Sequence, residues 1–247
     1  MTSTVLLRLA GPQQSWGTAS RFRSRESGIR PSKSGVVGLV AAALGIPRDG
    51  DISELANLRF GVRTDQPGRV ARDYHTASRD VNPRTGQKIK RQVTISERFY
   101  LEDAVFIAAL EGANETIRTI ESALRFPVYP IFLGRKAFPP AGQVSLGIRN
   151  AGLTAALAAE PWKAGPWWQR KHHTAELVTL PIHRDANDGT EGGDLVKDSP
   201  VSFSGDQRQH SARVVVRDTD AIVPNPAYAT SAELPPTFDE HNPFALI

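Results

Sequence analysis

Hydrophobic and polar positions follow two periods in the first part of the chain. Apolar residues alternate with their neighbours in TVLLRLA, which predicts a strand over residues 4–10 that ends at Gly11-Pro12. They recur at helical spacing in SGVVGLVAAALG, where Ser34 is the expected N-cap and Gly45 the expected stop. A second alternating run at residues 58–63 predicts a half-buried strand with two arginines on one face.

A polar and basic stretch at residues 70–92 interrupts this pattern. Its turn signals, Asn82-Pro83 and Thr85-Gly86, predict a long exposed hairpin that returns through residues 93–100. Periodicity then predicts a central buried strand, a helix that Asn114 caps, and one further strand: residues 104–110, 114–125, and 128–133 or 143–148.

The order strand, helix, strand, hairpin, strand, helix, strand is typical of the ferredoxin-like (RRM-like) fold with an insertion. We therefore predict an α+β protein: a modified ferredoxin-like domain over residues 1–150, with the β-hairpin inserted at about 70–96, and a smaller, mainly β extension over 151–247. In the extension we expect two alternating antiparallel strands, an acidic loop and an irregular tail: residues 174–182 and 211–218, 184–200, and the positions after Pro224.

Charge is distributed unevenly along the 247 residues, although the formal net charge is only +4. Residues 1–48 hold seven bases and one acid, and residues 70–96 hold six bases and two acids. Residues 185–198 hold five acids and one base, and five acids with no base follow Arg217. Such a basic front attracts a polyanion, most often nucleic acid, or is a solvated surface that binds nothing. We expect the acidic rear to face solvent or basic protein partners.

Composition excludes several classes of protein. The chain has no cysteine, which excludes disulfides, a cysteine nucleophile and a Cys-based zinc site. No apolar run reaches the roughly 18 residues of a membrane helix, and the N-terminus lacks a signal-peptide pattern. We therefore expect a cytoplasmic protein with no membrane partner. The histidines lack ligand spacing and no nucleotide fingerprint is present, so we expect neither a metal nor another cofactor.

Three loops are candidate ligand sites. Trp16 in the polar loop Gln13–Gly17 can stack on a base, anchor a protein partner or pack in the core. The segment Arg30–Gly35 leads into a helix N-terminus, which binds anions or is simply capped. The segment Gly134–Lys136 combines a glycine with two cations, which suits a phosphate or a plain turn.

The hairpin also carries a possible catalytic group. Asp73-Tyr74-His75-Thr76 places an acid, a phenol and an imidazole together. A histidine near a tyrosine or lysines can cleave RNA without a metal by general acid–base catalysis. The same side chains also suit stacking or hydrogen bonding with a ligand, or packing at the hairpin base.

Three tryptophans cluster in EPWKAGPWWQR, at positions 162, 167 and 168. Tryptophan is common both in buried cores and at interfaces, because it combines a large apolar ring with one N–H donor. The sequence leaves an interface anchor and a local core equally open.

Five segments within residues 1–142, in order, resemble the CasD family, whose members hold the 5′ handle of the guide RNA in type I-E CRISPR Cascade complexes. They are LLRLAGPQQSWG, RPSKSGVVGLVAAALGI, DYHTA, ISERFYLEDAVFIAAL and YPIFLGRKAFPPA. The set as a whole carries the resemblance, which is weaker after residue 142.

The resemblance implies a modified ferredoxin-like domain with a basic hairpin thumb, and a non-catalytic role in antiviral defence at one end of a filament. The implied partners are the crRNA 5′ handle, the Cascade backbone subunit, the Cascade large subunit and target DNA near the complex. In type I-C systems the same family cuts precursor RNA. A metal-independent endoribonuclease that processes CRISPR repeat RNA through His75 is therefore the alternative.

Charge, motif position and the resemblance together predict RNA-binding residues and no catalytic residue. Cations of the hairpin are expected to contact phosphates, and the three loops to recognise the handle. The predicted residues are Gln14, Ser15, Trp16, Arg21, Arg30, Lys33, Ser34, Arg72, His75, Arg79, Arg84, Lys88, Lys90, Arg91, Gly134, Arg135 and Lys136.

Overall fold

The computed structural model describes residues 2–17, 24–25, 27–82, 84–187, 192–205 and 208–229, with the backbone alone at positions 24, 25, 79, 89, 90, 92 and 94. Within these residues no helix has the length and apolar character needed to cross a membrane. The elements, in chain order, are β1 Thr2–Ala10, β2 Gln13–Gln14, β3 Ser24–Arg25, α1 Lys33–Ala43, α2 Ser53–Ala56, β4 Arg59–Gln66, β5 Arg69–Val81, β6 Lys88–Glu102, β7 Val105–Ala113, α3 Asn114–Arg125, β8 Ser145–Arg149, α4 Leu153–Ala159, α5 Pro166–Lys171, β9 Leu177–Leu180, β10 Ile182–Asp185, β11 Asp194–Ser202, β12 Gln209–Arg217 and β13 Ala221–Pro224.

A seven-stranded antiparallel sheet of order β11-β12-β10-β4-β7-β1-β8 forms the centre of this mixed α/β protein. The predicted central strand is confirmed, since β7 lies between β4 and β1 and is buried over its first six residues. Leu7 and Phe106 on one face pack with α1 and α3, whereas Leu6 and Ile107 on the other face pack with α4. Alternate residues of each strand therefore enter two separate cores.

The predicted strand at residues 58–63 is confirmed as β4, but the expectation that it is half-buried is wrong, because both of its faces are covered after Arg59. Phe60 lies in the core beneath α1, and Arg63, on the other face, has 0% of its surface exposed. The five N–H groups of Arg63 donate to five acceptors, namely the two carboxylate oxygens of Asp65 and the carbonyls of Leu157, Glu160 and Pro161. The buried charge is tolerated because it is paired and every donor is satisfied.

The predicted strand at residues 174–182 is divided by Pro181 into β9 and β10, which belong to different sheets. Proline suits this junction because it cannot donate to a ladder. The strand predicted at residues 211–218 is confirmed as β12. The expected acidic loop at residues 184–200 is wrong at both ends, because β10 runs to Asp185 and β11 begins at Asp194 and pairs with β12; its positions 188–191 lie outside the described residues.

Both predicted helices are present, with their starts displaced. Ser32 is the N-cap of α1, since its Oγ accepts a hydrogen bond from the Gly35 N–H over 3.2 Å, so the assignment to Ser34 is wrong. Gly45 follows the helix with φ +76°, as the predicted stop requires. Asn114 is the first residue of α3 rather than its cap, and its Oδ1 accepts from the Ser3 hydroxyl at 3.2 Å.

Candidate nucleic-acid interface

The predicted long hairpin is confirmed. Its strands β5 and β6 contain 13 and 15 residues and pair antiparallel from Arg69–Glu102 to Val81–Lys88. At its base β6 also pairs with β2 and β3. Side chains beyond the base are mostly exposed on both faces. The ribbon therefore offers two open surfaces to a ligand.

The cations of the hairpin differ in their partners. Arg84, Lys88 and Arg91 are exposed, and none has an acidic partner in the described part of the chain. Arg91 donates only to the Ser78 hydroxyl, over 3.3 Å. Arg72, by contrast, pairs with a carboxylate of β6 at 2.8 Å. The remaining predicted contacts, Arg21 and the side chains of Arg79 and Lys90, lie outside the described part of the structure.

Side chains of the hairpin alternate between two chemically different faces. One face carries Tyr74, Ile95 and Val93, which are 59%, 48% and 60% exposed. The other face carries Asp73 and His75. Tyr74 and His75 thus point in opposite directions and cannot act on one phosphate.

A polar cluster lies on the second face at the hairpin base. The hydroxyl of Tyr100 is 3.5 Å from Asp73 Oδ2, and Nδ1 of His75 is 3.9 Å from the same oxygen. The Arg135 guanidinium stacks 4.6 Å from the Tyr100 ring centroid and donates to its hydroxyl over 3.0 Å. Arg98 lies opposite Asp73 in the strand register, and its buried Nε has no hydrogen-bond partner among the described residues. The Tyr100 hydroxyl and the His75 imidazole therefore converge on one acidic oxygen, with Arg135 held against Tyr100 and Arg98 across the strand pair.

The loop Gln13–Gly17 lies beside this cluster, but its side chains point inwards. Trp16 is 1% exposed and packs on α1, where a Cβ at Gly35 would lie 2.8 Å from the indole ring. Gln14 is fully buried and bonds to backbone carbonyls and to the Trp16 indole N–H. Ser15 is 7% exposed. The predicted base stacking by Trp16 and side-chain contacts by Gln14 and Ser15 are wrong, because these groups are already used for packing and internal hydrogen bonds.

Gly134 joins the third predicted loop to this one. Its φ is +86°, and a Cβ there would lie only 1.8 Å from the Ser15 carbonyl oxygen. The glycine therefore allows two loops to approach each other rather than a ligand to approach the backbone. The contact places Arg135 over the hairpin base and leaves Lys136 exposed beside it.

Acidic residues of the C-terminal half occupy the anion site predicted at Arg30–Gly35. The backbone N–H of Lys33, at the start of α1, donates to Asp198 Oδ2 over 2.8 Å, and Lys33 Nζ is 3.2 Å from Asp185. Arg213 bridges the same two acids at 2.5 and 2.6 Å. Lys33 and Ser34 are 6% and 7% exposed. The predicted RNA contacts by these two residues are wrong, since an internal carboxylate takes the helix terminus.

Arg30 lies at the edge of this ion-pair cluster. Its Nη1 is 2.6 Å from Nε2 of His183. Burial, together with the charges of Arg30 and Arg217, lowers the pKa of His183 from 6.5 to about 4. The ring is therefore neutral near pH 7 and accepts from Arg30. Whether Arg30 also contacts RNA stays a prediction.

Arg98 and Tyr100 are missed by the sequence reasoning. Their signal is the alternation in SERFYLE, which places residues 96, 98 and 100 on the same hairpin face as Asp73 and His75 once the two strands are paired. No cluster of three or more histidine or acidic side chains within the described residues is arranged to bind a metal ion.

Comparisons with known proteins agree with one another. The family described as CRISPR-associated protein (Cas_Cas5) matches residues 4–216. The CRISPR system Cascade subunit CasD of Escherichia coli (strain K12) is 37% identical over 180 residues, which cover 66% of this chain and 76% of that protein. A solved chain described as a CRISPR RNA-guided surveillance complex matches with a TM-score of 0.75 and 32% identity, covering 92% of this chain and 93% of that one. A second, described as the crystal structure of a Cas protein, matches with a TM-score of 0.66 and 35% identity, covering 91% and 97%. The chain therefore belongs to the Cas5 family of CRISPR-associated proteins.

Proposed function

We propose that the first part of the chain is a modified ferredoxin-like domain and that the hairpin is its thumb. The strand order β4-β7-β1-β8, with α1 between β1 and β4 and α3 between β7 and β8 along the chain, supports this assignment. Along the chain, β5 and β6 are inserted between β4 and β7. β10, β12 and β11 extend the sheet beyond β4.

On this domain, the protein binds the crRNA 5′ handle as a non-catalytic subunit of a Cascade surveillance complex. The observation that carries the proposal is the exposure of Arg84, Lys88 and Arg91 on an open ribbon, where none of them has an acidic partner among the described residues. Proteins bind single-stranded RNA largely by neutralising phosphates along such a surface. The names of the relatives, a Cascade subunit and an RNA-guided surveillance complex, support the same role.

The cluster at the hairpin base supplies the more specific contacts. The Arg135 guanidinium is already oriented by stacking on Tyr100, so little rotamer freedom is lost when it binds a phosphate. The Nε of Arg98 is buried and unpartnered among the described residues, and a phosphate or ribose oxygen can satisfy it. We expect Asp73 to orient Tyr100 and to accept from a ribose hydroxyl or base N–H.

The other proposed partners are the backbone and large subunits of the complex, with target DNA nearby, in antiviral defence in the cytoplasm. Tyr74, Ile95 and Val93 form an exposed apolar stripe on one hairpin face. Such stripes favour a protein neighbour. Arg91, beside Ser78, lies on the same face, so the RNA backbone and a protein neighbour can meet there, whereas the opposite face carries the polar cluster.

Binding of the handle RNA to the purified full chain across a salt series tests the proposal. Affinity should fall as salt rises, with each phosphate contact contributing about −0.7 to the slope of log K against log salt. The guide should also stay with the complex after co-expression, which raises its absorbance at 260 nm relative to 280 nm. Salt-independent or absent RNA binding would instead favour a purely structural adaptor.

A metal-independent endoribonuclease is the second candidate. The observation in its favour is that His75, Asp73 and the Tyr100 hydroxyl lie on one face around a shared oxygen. Such a set can transfer protons to and from a ribose hydroxyl and a leaving oxygen. Specific cleavage of repeat RNA in the presence of EDTA, abolished by His75→Ala and retained by Arg72→Ala, would replace the non-catalytic proposal.

A further inference from the structure

Helix α5 and its flanks form a basic and aromatic segment that the handle-binding role does not use. Between Glu160 and Glu176 the chain contains three tryptophans, three cations and two histidines, and no acid. Basic residues interleaved with aromatic rings are typical of surfaces that bind single-stranded nucleic acid.

The three tryptophans have different environments. Trp162 is 5% exposed, and its indole N–H donates to the Asp65 carbonyl over 2.8 Å. Trp168 packs against the core beneath α4, with its ring 4.8 Å from that of His172. Trp167 is 49% exposed and stands edge-on to Trp168 at 5.3 Å. Packing therefore accounts for two of the rings and leaves one face of Trp167 open.

Two cations accompany the exposed ring. Arg170 and Lys171 follow Trp167 at the i+3 and i+4 positions of α5, which places them on the same side of the helix. Both are exposed, and neither forms an ion pair with another described residue. Lys171 Nζ lies 5.4 Å from the Trp168 ring centroid. Lys163 differs, because Glu160 holds its ammonium group at 3.2 Å.

The platform formed by Trp167, Arg170 and Lys171 is held firmly by its surroundings. The Gly165 N–H, just before the helix, donates to Gln66 Oε1 over 3.0 Å. After the helix, Asn225 Nδ2 donates to the His172 carbonyl over 2.8 Å. A short helix fixed at both ends presents its side chains in one arrangement, which lowers the entropy lost on binding.

This platform also lies next to the root of the hairpin. Gln66 accepts from Gly165 through one amide atom and donates through the other to the Asp103 carbonyl, over 2.5 Å. Gln66 ends β4, and β5 starts three residues later at Arg69. A strand of nucleic acid that leaves the hairpin base can therefore continue onto the platform.

We propose that Trp167, Arg170 and Lys171 form a second binding site, for a single-stranded polynucleotide, separate from the proposed handle site. One base stacks on the open face of the Trp167 indole, and the two cations contact the adjoining phosphates. The site is tolerant of sequence because every base has a stacking face. A protein anchor is disfavoured by two adjacent cations that lack acidic partners among the described residues; Glu176 is the nearest exposed acid along the chain.

Fluorescence titration of the full chain tests this site. Of the four tryptophans, Trp16 and Trp162 are buried and Trp168 packs against the core, so quenching on addition of a homopolymer reports mainly on Trp167. The titration is made with the Arg84→Ala, Lys88→Ala, Arg91→Ala variant, which removes the hairpin contacts. Oligo-dT and oligo-U of about a dozen nucleotides, within the usual site size, are the probes. Equal affinity indicates stacking alone, and a preference identifies a DNA or an RNA strand; binding of either supports the proposal.

Trp167→Ala in that background should weaken oligonucleotide binding at least about fivefold, and Trp167→Phe should retain part of it. Because these variants lack the reporting indole, their affinity is measured by the fluorescence anisotropy of a labelled oligonucleotide. Arg170→Ala with Lys171→Ala should reduce the salt dependence. Phe126→Ala is the matched control, because that ring is 82% exposed on a different surface. Thermal unfolding of each variant checks the fold.

Unchanged affinity in the stably folded Trp167→Ala variant would overturn the second site while leaving the hairpin proposal intact. An equal loss in Phe126→Ala would overturn it as well. Unchanged oligonucleotide binding combined with loss of a protein subunit from the assembled complex would replace it with a protein anchor.

Discussion

Two segments of this chain are both basic in sequence and differ in structure. The segment from Arg30 to Ser34 is held by His183, Asp185 and Asp198, and Lys33 is buried. Arg84, Lys88 and Arg91 of the hairpin remain exposed without acidic partners in the part of the chain that the structure describes. A cation is therefore available to a ligand only where the fold brings no acid to it.

The acids involved come from far along the chain. β11, which the sequence predicts as an acidic loop, carries Asp198 to the N-terminus of α1, 165 residues away. The expectation that the acidic rear faces solvent or other proteins is wrong for Asp185, which pairs with the Lys33 ammonium group, and for Asp198, which accepts from the Lys33 backbone N–H and pairs with Arg213. No comparable strand covers the described part of the hairpin beyond its base.

Removing an acid from the ion-pair cluster should have the largest effect. Asp198→Ala leaves the α1 N-terminus without its partner and Arg213 with Asp185 alone, and we expect a loss of about 3 kcal/mol in the free energy of unfolding, measured by denaturant titration. Asp194→Ala, an exposed acid of the same strand, should change it by less than about 0.5 kcal/mol. An equal loss of unfolding free energy in the two variants would contradict the conclusion that Asp198 holds the basic segment at the start of α1.

Removing the free cations of the hairpin should alter RNA binding and leave folding intact. For Arg84→Ala, Lys88→Ala and Arg91→Ala together, the slope of log K against log salt should become shallower by about 2, since each phosphate contact contributes about 0.7. Arg48→Ala, Arg118→Ala and Lys197→Ala remove the same charge from exposed positions elsewhere and provide the control. An unchanged slope in the hairpin variant would show that these three cations do not contact RNA phosphates.

Acid should weaken the ion-pair cluster through His183. Its pKa is about 4 in the folded protein and 6.5 ordinarily, so between these values the unfolded chain binds a proton that the folded chain does not. The free energy of unfolding should therefore fall as the pH drops from about 6.5 to about 4. His183→Gln should flatten this dependence relative to His75→Gln, as denaturation midpoints across this range would show. An identical dependence of stability on pH in both variants would contradict the attribution of this dependence to His183.

A single substitution within the hairpin should give the smallest effect. Arg91→Ala should make the salt slope shallower by about 0.7, because Arg91 has no acidic neighbour among the described residues. Arg72→Ala should change it less, since the guanidinium is already paired with Glu97 at 2.8 Å. A larger change for Arg72 would mean that RNA displaces this ion pair.

Hydrophobic periodicity predicts the elements whose own apolar spacing matches their burial. It fails for strands whose position depends on pairing with a strand elsewhere in the chain. β1, α1, β7 and α3 are found because their apolar spacing matches their burial. β11 is missed because Asp198 and Pro200 interrupt its alternation, and it is stabilised by pairing with β12. The division of the predicted strand 174–182 at Pro181 likewise depends on pairing partners, since β9 pairs with β13 and β10 pairs with β4 and β12.

The site is predicted in its location and less well in its residues. Basic composition identifies the hairpin, and the GRK motif places Arg135 over its base. Trp16 lies in a polar loop of the sequence but is buried in the structure, because Gly35 of α1 has no side chain and the indole packs directly against it. Arg98 and Tyr100 gain their roles only from the strand register, which no local pattern specifies.

The length of the hairpin has a consequence for how its occupancy can be detected. A two-stranded ribbon of this size extends about 40 Å and, without a covering layer, is only marginally stable by itself. A ligand that contacts both strands adds its binding free energy to that of strand pairing. The peptide bonds after Arg84 and Lys88, at the turn, are therefore a natural footprint: trypsin should cut them in the free chain and spare them once the ribbon is engaged.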